Sequence, residues 1–131
     1  MGTYRGSCHC GRVRFEIEAD LKRLLRCNCS ICAKKGSIHV RVHPDQMRIV
    51  AGEDALTLYQ FNKKIAQHYF CQTCGIHPFS RPRAAPELYT ININTLDDFD
   101  LETENPEIVP FDGRNWEAAV AAMNAKADRK P

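Results

Sequence analysis

The feature that most constrains this sequence is a run of three cysteines within six residues: Cys27, Cys29 and Cys32. The other four cysteines form two short pairs, one on each side of the run: Cys8 and Cys10, and Cys71 and Cys74. A C-x-C or C-x-x-C pair brings two sulfur atoms close enough to bind one ion at about 2.3 Å per Zn–S bond. The two pairs can therefore supply four thiolates to a structural zinc. The run supplies three ligands and leaves a fourth position open for chemistry.

Disulfide bonds and iron are the alternatives to zinc. The cysteine count of seven is odd, no apolar signal segment follows Met1, and C-x-C spacing strains a direct bridge, so a disulfide framework is disfavoured. Thiolates also bind iron and iron–sulfur clusters, but this grouping matches neither of the common ferredoxin runs. The pattern therefore favours two Zn²⁺ ions per chain.

Length, charge and hydropathy narrow the class of protein. A chain of 131 residues with 44% hydrophobic content predicts a single zinc domain over 1–131, with its core at about 4–100 and an acidic excursion and helix over 101–131. The net charge of +2 provides no extended basic surface, so neither nucleic acid nor a membrane is an expected partner. The apolar runs are too short to span a membrane, and free thiols suit a reducing compartment, so we expect a soluble, cytoplasmic protein.

Alternating apolar residues predict a mainly β fold. The alternation is clearest at 12–18, where Val13, Phe15 and Ile17 are separated by charged residues. Further short strands are expected at 37–43, 47–50, 56–61, 65–70 and 88–93. The prolines between 78 and 86 predict an irregular loop, and the acidic stretch 97–107 predicts a surface excursion. A short C-terminal helix is expected at 115–126, with Trp116 and Met123 packed against the sheet.

Four ordered motifs resemble one known family. They are Gly6-Ser7-Cys8-His9-Cys10-Gly11, Cys27-Asn28-Cys29-Ser30-Ile31-Cys32, Phe70-Cys71-Gln72-Thr73-Cys74-Gly75 and Asn92-Ile93-Asn94-Thr95-Leu96-Asp97-Asp98. Together they span roughly 4–100 and are similar to the glutathione-dependent formaldehyde-activating enzyme family, also called the Gfa or centromere protein V family. The sequence departs from the family at Ala33, where a basic residue is expected directly after the third cysteine of the run.

The resemblance implies a Mss4-like zinc-binding β-sheet fold and assigns both metal sites. The structural zinc is implied on Cys8, Cys10, Cys71 and Cys74, and the catalytic zinc on Cys27, Cys29 and Cys32. The implied activity is that of a carbon–sulfur lyase, similar to S-(hydroxymethyl)glutathione synthase. In this reaction glutathione or a related small thiol adds to formaldehyde or a related aldehyde.

The chemistry of the cysteine run agrees with a thiol substrate. Three thiolates on Zn²⁺ leave a formal charge of about −1, which weakens the ion as a Lewis acid and disfavours metal-bound hydroxide as the reagent. A thiol suits such a site better, because coordination ionises it while its sulfur remains nucleophilic. Hydrolysis is the second candidate chemistry. A glutathione or thiol carrier, a non-catalytic zinc-stabilised interaction module and a metal store or sensor are the alternative functions.

A tripeptide thiol carries two carboxylates, so cationic side chains are expected beside the open position. The candidate substrate-binding residues flank the cysteine motifs: Arg26, Lys34, Lys35, Arg81 and Arg83. His77 is a candidate catalytic residue, because it follows Cys74 closely and could move a proton or donate to a thiolate. The other histidines considered, His39, His43 and His68, are expected to have no part in the site.

Overall fold

The computed structural model describes the backbone of residues 1–128 and the side chains of residues 1–123. The strands are β1 (Gly2–Ser7), β2 (Arg14–Ala19), β3 (Arg23–Cys27), β4 (Ile38–Val42), β5 (Met47–Ala51), β6 (Leu56–Tyr59), β7 (Gln67–Cys71), β8 (Phe79–Arg81), β9 (Tyr89–Asn92) and β10 (Glu107–Phe111). The α-helices are α1 (Ser30–Lys35), α2 (Leu101–Glu104) and α3 (Trp116–Asp128). Among the described residues, no helix combines the length and the apolar character that a membrane span requires.

The strands form two sheets. One is three-stranded in the order β1-β2-β5, and the other is seven-stranded in the order β10-β3-β4-β9-β8-β7-β6. Strand β10 pairs in parallel with β3, and the register places Phe111 beside Cys27. The chain that follows β10 is thereby brought to the cysteine run.

The hydrophobic core joins side chains from both sheets. Phe15 and Ile17 of β2 are fully buried in one cluster with Phe79 of β8 and Ile91 of β9. The Phe15 and Phe79 rings meet edge to face, with centroids 5.6 Å apart. Alternate residues of each strand supply this cluster, and each fully buried large apolar side chain contributes about 1.5–3 kcal/mol.

The other face of the seven-stranded sheet is polar. Strand register places Arg41 opposite Thr90, Thr90 opposite Ser80, and Ser80 opposite His68. Directly paired residues project from the same face of a sheet. These four residues, on four neighbouring strands, therefore form a continuous line that we call the polar row.

The mainly β architecture with a short C-terminal helix is confirmed, and it is compatible with a Mss4-like zinc-binding fold. Strands β8 and β10 lie where an irregular loop and a surface excursion were expected. Strand β10 tolerates Pro110 because it is an edge strand of its sheet, where a missing N–H is not needed for pairing. The prediction that Met123 packs against the sheet is wrong, since its side chain is 41% exposed.

Candidate metal centre

The first cysteine cluster joins the two sheets. Cys8 follows β1 of the three-stranded sheet, and Cys71 ends β7 of the seven-stranded sheet. The Sγ atoms of Cys8, Cys10, Cys71 and Cys74 all lie within 4.8 Å of one another. The Cys8–Cys10 and Cys10–Cys71 separations are 3.5 and 3.7 Å. A tetrahedral zinc with four thiolates needs neighbouring sulfurs about 3.8 Å apart, so this donor set fits the ion.

Tight turns shape this four-cysteine cluster. Gly11 and Gly75 have φ values of 79° and 77°, a backbone conformation that glycine adopts without a steric penalty. The Gly75 N–H donates to the carbonyl of Cys71 at 2.8 Å, which closes the second turn. The Val13 N–H points at the Cys8 Sγ at 3.3 Å.

The second cluster is built where β3 passes into α1. Cys27 ends β3, Cys29 is the residue preceding α1, and Cys32 lies in its first turn. Their three Sγ atoms lie within 4.8 Å of one another. The Cys29 Sγ accepts the N–H of Cys32 at 3.4 Å, so it caps the helix as well as facing the other two sulfurs. The helix itself was not expected from the sequence.

The three thiol groups of this second cluster hydrogen-bond to one another, which separates their pKa values: that of Cys29 is lowered and those of Cys27 and Cys32 are raised. Hydrogen bonds from Cys27 and Cys32 lower the pKa of Cys29, and the matching interactions with Cys27 and Cys29 raise the pKa of Cys32. All seven cysteines lie within the described residues and are free thiols. Three thiol groups that share protons in this way are suited to a cation that ionises them together. Both cysteine clusters could therefore bind metal ions, and both sets of donors are consistent with zinc.

A cavity of about 420 Å³ opens beside the three-cysteine cluster. Its floor is the polar row together with His39, and its walls come from the loop after β6, the chain after β8 and the chain after β10. Phe61, Ile65 and Trp116 contribute apolar surface to those walls. This volume is typical of a site for a small molecule.

The cavity is electropositive. Its lining includes five cationic residues: Arg41, Lys63, Lys64, Arg83 and Arg114. Among residues 1–123, no aspartate or glutamate lines it. The Arg83 guanidinium lies 3.8 Å from the centre of the Trp116 ring, and the Arg114 Nε–H donates to the carbonyl of Asn28 at 2.9 Å. A ligand with negative charge is therefore favoured there.

Buried polar groups on the floor have no partner within the described protein. The Nδ1 atoms of His39 and His68 and the Oγ1 atom of Thr90 are buried without a hydrogen bond. Burial lowers the pKa of His39 and of His68 to about 4, so both imidazoles are neutral at pH 7. Because buried polar groups are normally hydrogen-bonded, these three residues give the cavity lining a hydrogen-bonding capacity that the described protein does not use.

The structure places the five predicted substrate-binding residues in different surroundings. Arg83 lines the cavity, whereas Lys34 and Lys35 line a second groove that shares Ser30, Ile31 and Phe61 with it. Arg26 is exposed and alternates with cavity-lining Leu25 and Cys27 along β3, so it lies on the opposite face. Arg81 also faces away from the cavity, with its guanidinium 4.3 Å from the centre of the Tyr89 ring.

His77, the predicted catalytic histidine, lies in the second groove near Lys35 and not at the cavity floor. Its ring packs against Phe70 with centroids 5.4 Å apart. Burial lowers its pKa, and the charge of Lys35 lowers it further. His77 is therefore neutral at pH 7, and the histidines that do line the cavity are His39 and His68.

Sequence reasoning did not single out Arg41, Thr90 or Arg114 at the cavity. One usable signal was present for β4, because Ile38, Val40 and Val42 alternate with His39 and Arg41. A strand that buries its apolar face in the core must direct the intervening residues to the other side. No local signal marks Thr90 or Arg114.

The fold and the two cysteine clusters define a class: mainly β proteins in which grouped cysteines could bind two metal ions. Residues 3–112 match the model of the family described as glutathione-dependent formaldehyde-activating enzyme, and the chain belongs to that family. The chain is also similar to a Rhodobacter sphaeroides protein of known crystal structure, determined as a structural genomics target. The two are 36% identical with a TM-score of 0.73, and the match covers 79% of this chain and 97% of that one. Family and clusters together fit a zinc-binding, formaldehyde-activating function of the lyase type.

Proposed function

We propose that this protein is a zinc-dependent carbon–sulfur lyase that adds glutathione, or a related small thiol, to formaldehyde or a related aldehyde. In this proposal Cys27, Cys29 and Cys32 hold the catalytic zinc, and the four-cysteine cluster holds the structural one. The observation that carries the proposal is that the three-cysteine cluster, and not the four-cysteine cluster, lines the electropositive cavity. A reactive thiol can enter there, whereas the four cysteines of the other cluster line neither this cavity nor the second groove.

The reaction conserves atoms and needs no oxidant. The thiol loses its proton, a carbon–sulfur bond forms, the π bond of the aldehyde carbonyl breaks, and the oxygen ends as a hydroxyl. A zinc ion bound by three thiolates would supply ionisation of the incoming thiol near neutral pH. Placing the two reactants together supplies the rest of the rate, because addition becomes effectively intramolecular.

The chain's own residues have separate tasks in this proposal. Cationic groups of the lining, such as Arg83, hold the carboxylates of the thiol. The imidazoles of His39 and His68 are neutral and unpartnered at Nδ1, so each can hydrogen-bond to the oxygen of the aldehyde or of the product. Phe61 and Trp116 exclude water from the walls.

The proposal is tested by comparing reduced glutathione with S-methylglutathione on the zinc-loaded protein. Both ligands carry the same carboxylates, but only the free thiol can bind as a thiolate. Calorimetry is expected to show much tighter binding of reduced glutathione, with an affinity that increases as the pH rises towards the pKa of the thiol. Formaldehyde is then added, and adduct formation is followed by NMR.

Each result of this experiment has a distinct meaning. Faster adduct formation than in buffer supports the enzyme. Thiol binding without acceleration supports the thiol carrier and contradicts catalysis. Equal affinity for the two ligands, or no binding of either, contradicts a thiol site at the three-cysteine cluster and favours an interaction module.

A further inference from the structure

Arg41 is an unpaired cation on the cavity floor. Its side chain is half-buried on β4, and its Nε atom is buried without a hydrogen-bond partner. The ion pairs among residues 1–123 join other residues, and none includes Arg41. A guanidinium that is partly removed from water and has no ion-pair partner is costly, so its retention in a cavity favours an anion beside it.

Thr90 is a second polar residue of the cavity lining, next to Arg41. It lies directly opposite Arg41 in the register of β4 and β9, and both line the cavity. Thr90 is only 8% exposed, and its Oγ1 atom has no hydrogen-bond partner in the described protein. A hydroxyl group beside a guanidinium provides one further hydrogen-bond donor, which is uncharged.

The groups facing Arg41 leave its charge available to a ligand. His39 and His68 are neutral at pH 7, and Ser80 carries no charge. Burial lowers the pKa of Arg41, and the charge of Cys27 opposes that shift. Because the charge of Cys27 acts on Arg41, the competing explanation is that Arg41 balances the charge of the three-cysteine cluster and binds no ligand.

We propose that Arg41 and Thr90 form a carboxylate-binding subsite on the cavity floor, which makes the site selective for carboxylate-bearing reactants. The proposal rests on the proposed function, because it concerns the reactants of that same cavity. A guanidinium presents a planar fork of N–H donors that matches the two oxygens of a carboxylate. The carboxylate can belong to the thiol, as in glutathione, or to the aldehyde, as in a 2-oxo acid such as glyoxylate.

The test combines three variants with three ligands on the zinc-loaded protein. Arg41→Gln removes the charge, Thr90→Val removes only the hydroxyl, and Arg48→Gln is the matched control on the other sheet. Arg48 pairs with Glu16 at 2.8 Å and is mostly exposed. The ligands are reduced glutathione, S-methylglutathione and 2-mercaptoethanol, of which the last has a thiol but no carboxylate. Circular dichroism verifies that each variant is folded.

Arg41→Gln is expected to weaken the binding of reduced glutathione and S-methylglutathione by on the order of tenfold to a hundredfold, since a charge-assisted hydrogen bond contributes that much to affinity. The dissociation constant for 2-mercaptoethanol should change by less than about twofold. Thr90→Val should weaken the binding of the two glutathione ligands several-fold and leave the binding of 2-mercaptoethanol unchanged. Arg48→Gln should change none of the three.

A further experiment with glyoxylate identifies which reactant carries the carboxylate that the subsite binds. If Arg41→Gln leaves both glutathione ligands unchanged but abolishes faster adduct formation from glyoxylate and 2-mercaptoethanol, the subsite exists and binds the aldehyde. If the glutathione ligands weaken, it binds the thiol.

Two results overturn the inference, and each is distinguishable from failure of the proposed function. If Arg41→Gln weakens the binding of 2-mercaptoethanol and of glutathione equally, Arg41 acts on the three-cysteine cluster and not on a carboxylate. No effect on any of these ligands, glyoxylate included, means that Arg41 has no binding role. In both cases wild-type protein still binds thiols, whereas wild-type protein that binds no thiol contradicts the proposed function itself.

Discussion

Individual cysteines in the two clusters differ in how much of the fold depends on them. Cys8 is 3% exposed and belongs to the cluster that connects the two sheets. Cys29 is half-buried at the start of a short helix, and its sulfur faces the two other sulfurs of a cluster contained within six residues of chain. Free energy of metal binding is folding free energy only where the ligands join parts of the chain that would otherwise separate.

Replacing Cys8 by serine is accordingly expected to destabilise the zinc-loaded protein by at least about 4 kcal/mol, the range seen when a structural metal is lost. Cys29→Ser should lower the free energy of unfolding by less than about 2 kcal/mol while abolishing thiol binding. Urea denaturation followed by circular dichroism measures both. Similar unfolding by the two variants would mean that the three-cysteine cluster is structural, and the enzyme proposal would lose its main support.

At the scale of secondary-structure elements, the chain after β10 packs directly on the three-cysteine cluster. A Cβ atom at Gly113 would lie 2.5 Å from the Cys27 Sγ and 2.7 Å from the Cys29 Cβ. Real Cβ atoms do not approach other atoms so closely, so a larger residue at 113 must displace the cysteines. Gly113 is therefore required for space and not for its backbone conformation, because its φ lies outside the left-handed region.

Gly113→Ala is expected to weaken metal binding at the three-cysteine cluster at least about tenfold, because displacement of supporting structure typically costs 10–100-fold in metal affinity. Gly36→Ala is the matched control, since Gly36 ends α1 with a φ of 66° and a Cβ there meets nothing within 4 Å. That variant should lose about 1 kcal/mol of stability from backbone strain and retain its metal affinity. Competition with a zinc chelator measures affinity, and equal affinities in the two variants would contradict the packing argument.

For the whole molecule, the two candidate metal sites differ in ligand number and in accessibility. The four-cysteine cluster can close a tetrahedron with protein sulfurs alone; Cys8 and Cys71 are buried, Cys74 is half-buried and Cys10 is exposed. The three-cysteine cluster opens to the cavity and offers three sulfurs. An ion with an exchangeable fourth ligand is released more readily than one enclosed by four thiolates.

The purified protein is therefore expected to contain about two zinc ions per chain, with the ion of the three-cysteine cluster removed first by mild chelation. Trp116, the single tryptophan, lines the same cavity as these cysteines. Its fluorescence should change with release of the first ion, while circular dichroism should change with release of the second. Simultaneous release of both ions, or iron in their place, would contradict this division of the cysteines.

The sequence predicted the site best where its ligands are close together along the chain. C-x-C and C-x-x-C spacing restricts two sulfurs to a short distance whatever the surrounding fold, which is why each pair and the three-cysteine run were predictable; that the two pairs form one group followed from the cysteine count and is seen in the structure. Alternation of apolar residues likewise predicted the strand regions of β2, β4, β5, β6, β7 and β9. The substrate-binding residues were harder to predict, because a charged residue next to a cysteine in sequence can lie on either face of a strand. Arg26, for example, lies on the face opposite the cavity.

The sequence by itself determined the three cysteine motifs, that the chain is mainly β, and the family to which it belongs. Tertiary structure alone decided that Arg41, Thr90, Ser80 and His68 form one row, because pairing four strands from distant parts of the chain depends on register. It likewise decided that parallel pairing of β10 with β3 carries Gly113 and Arg114 to Cys27. Local patterns encode which face of each strand is apolar, but only the packed core selects which polar residues then face each other across the sheet.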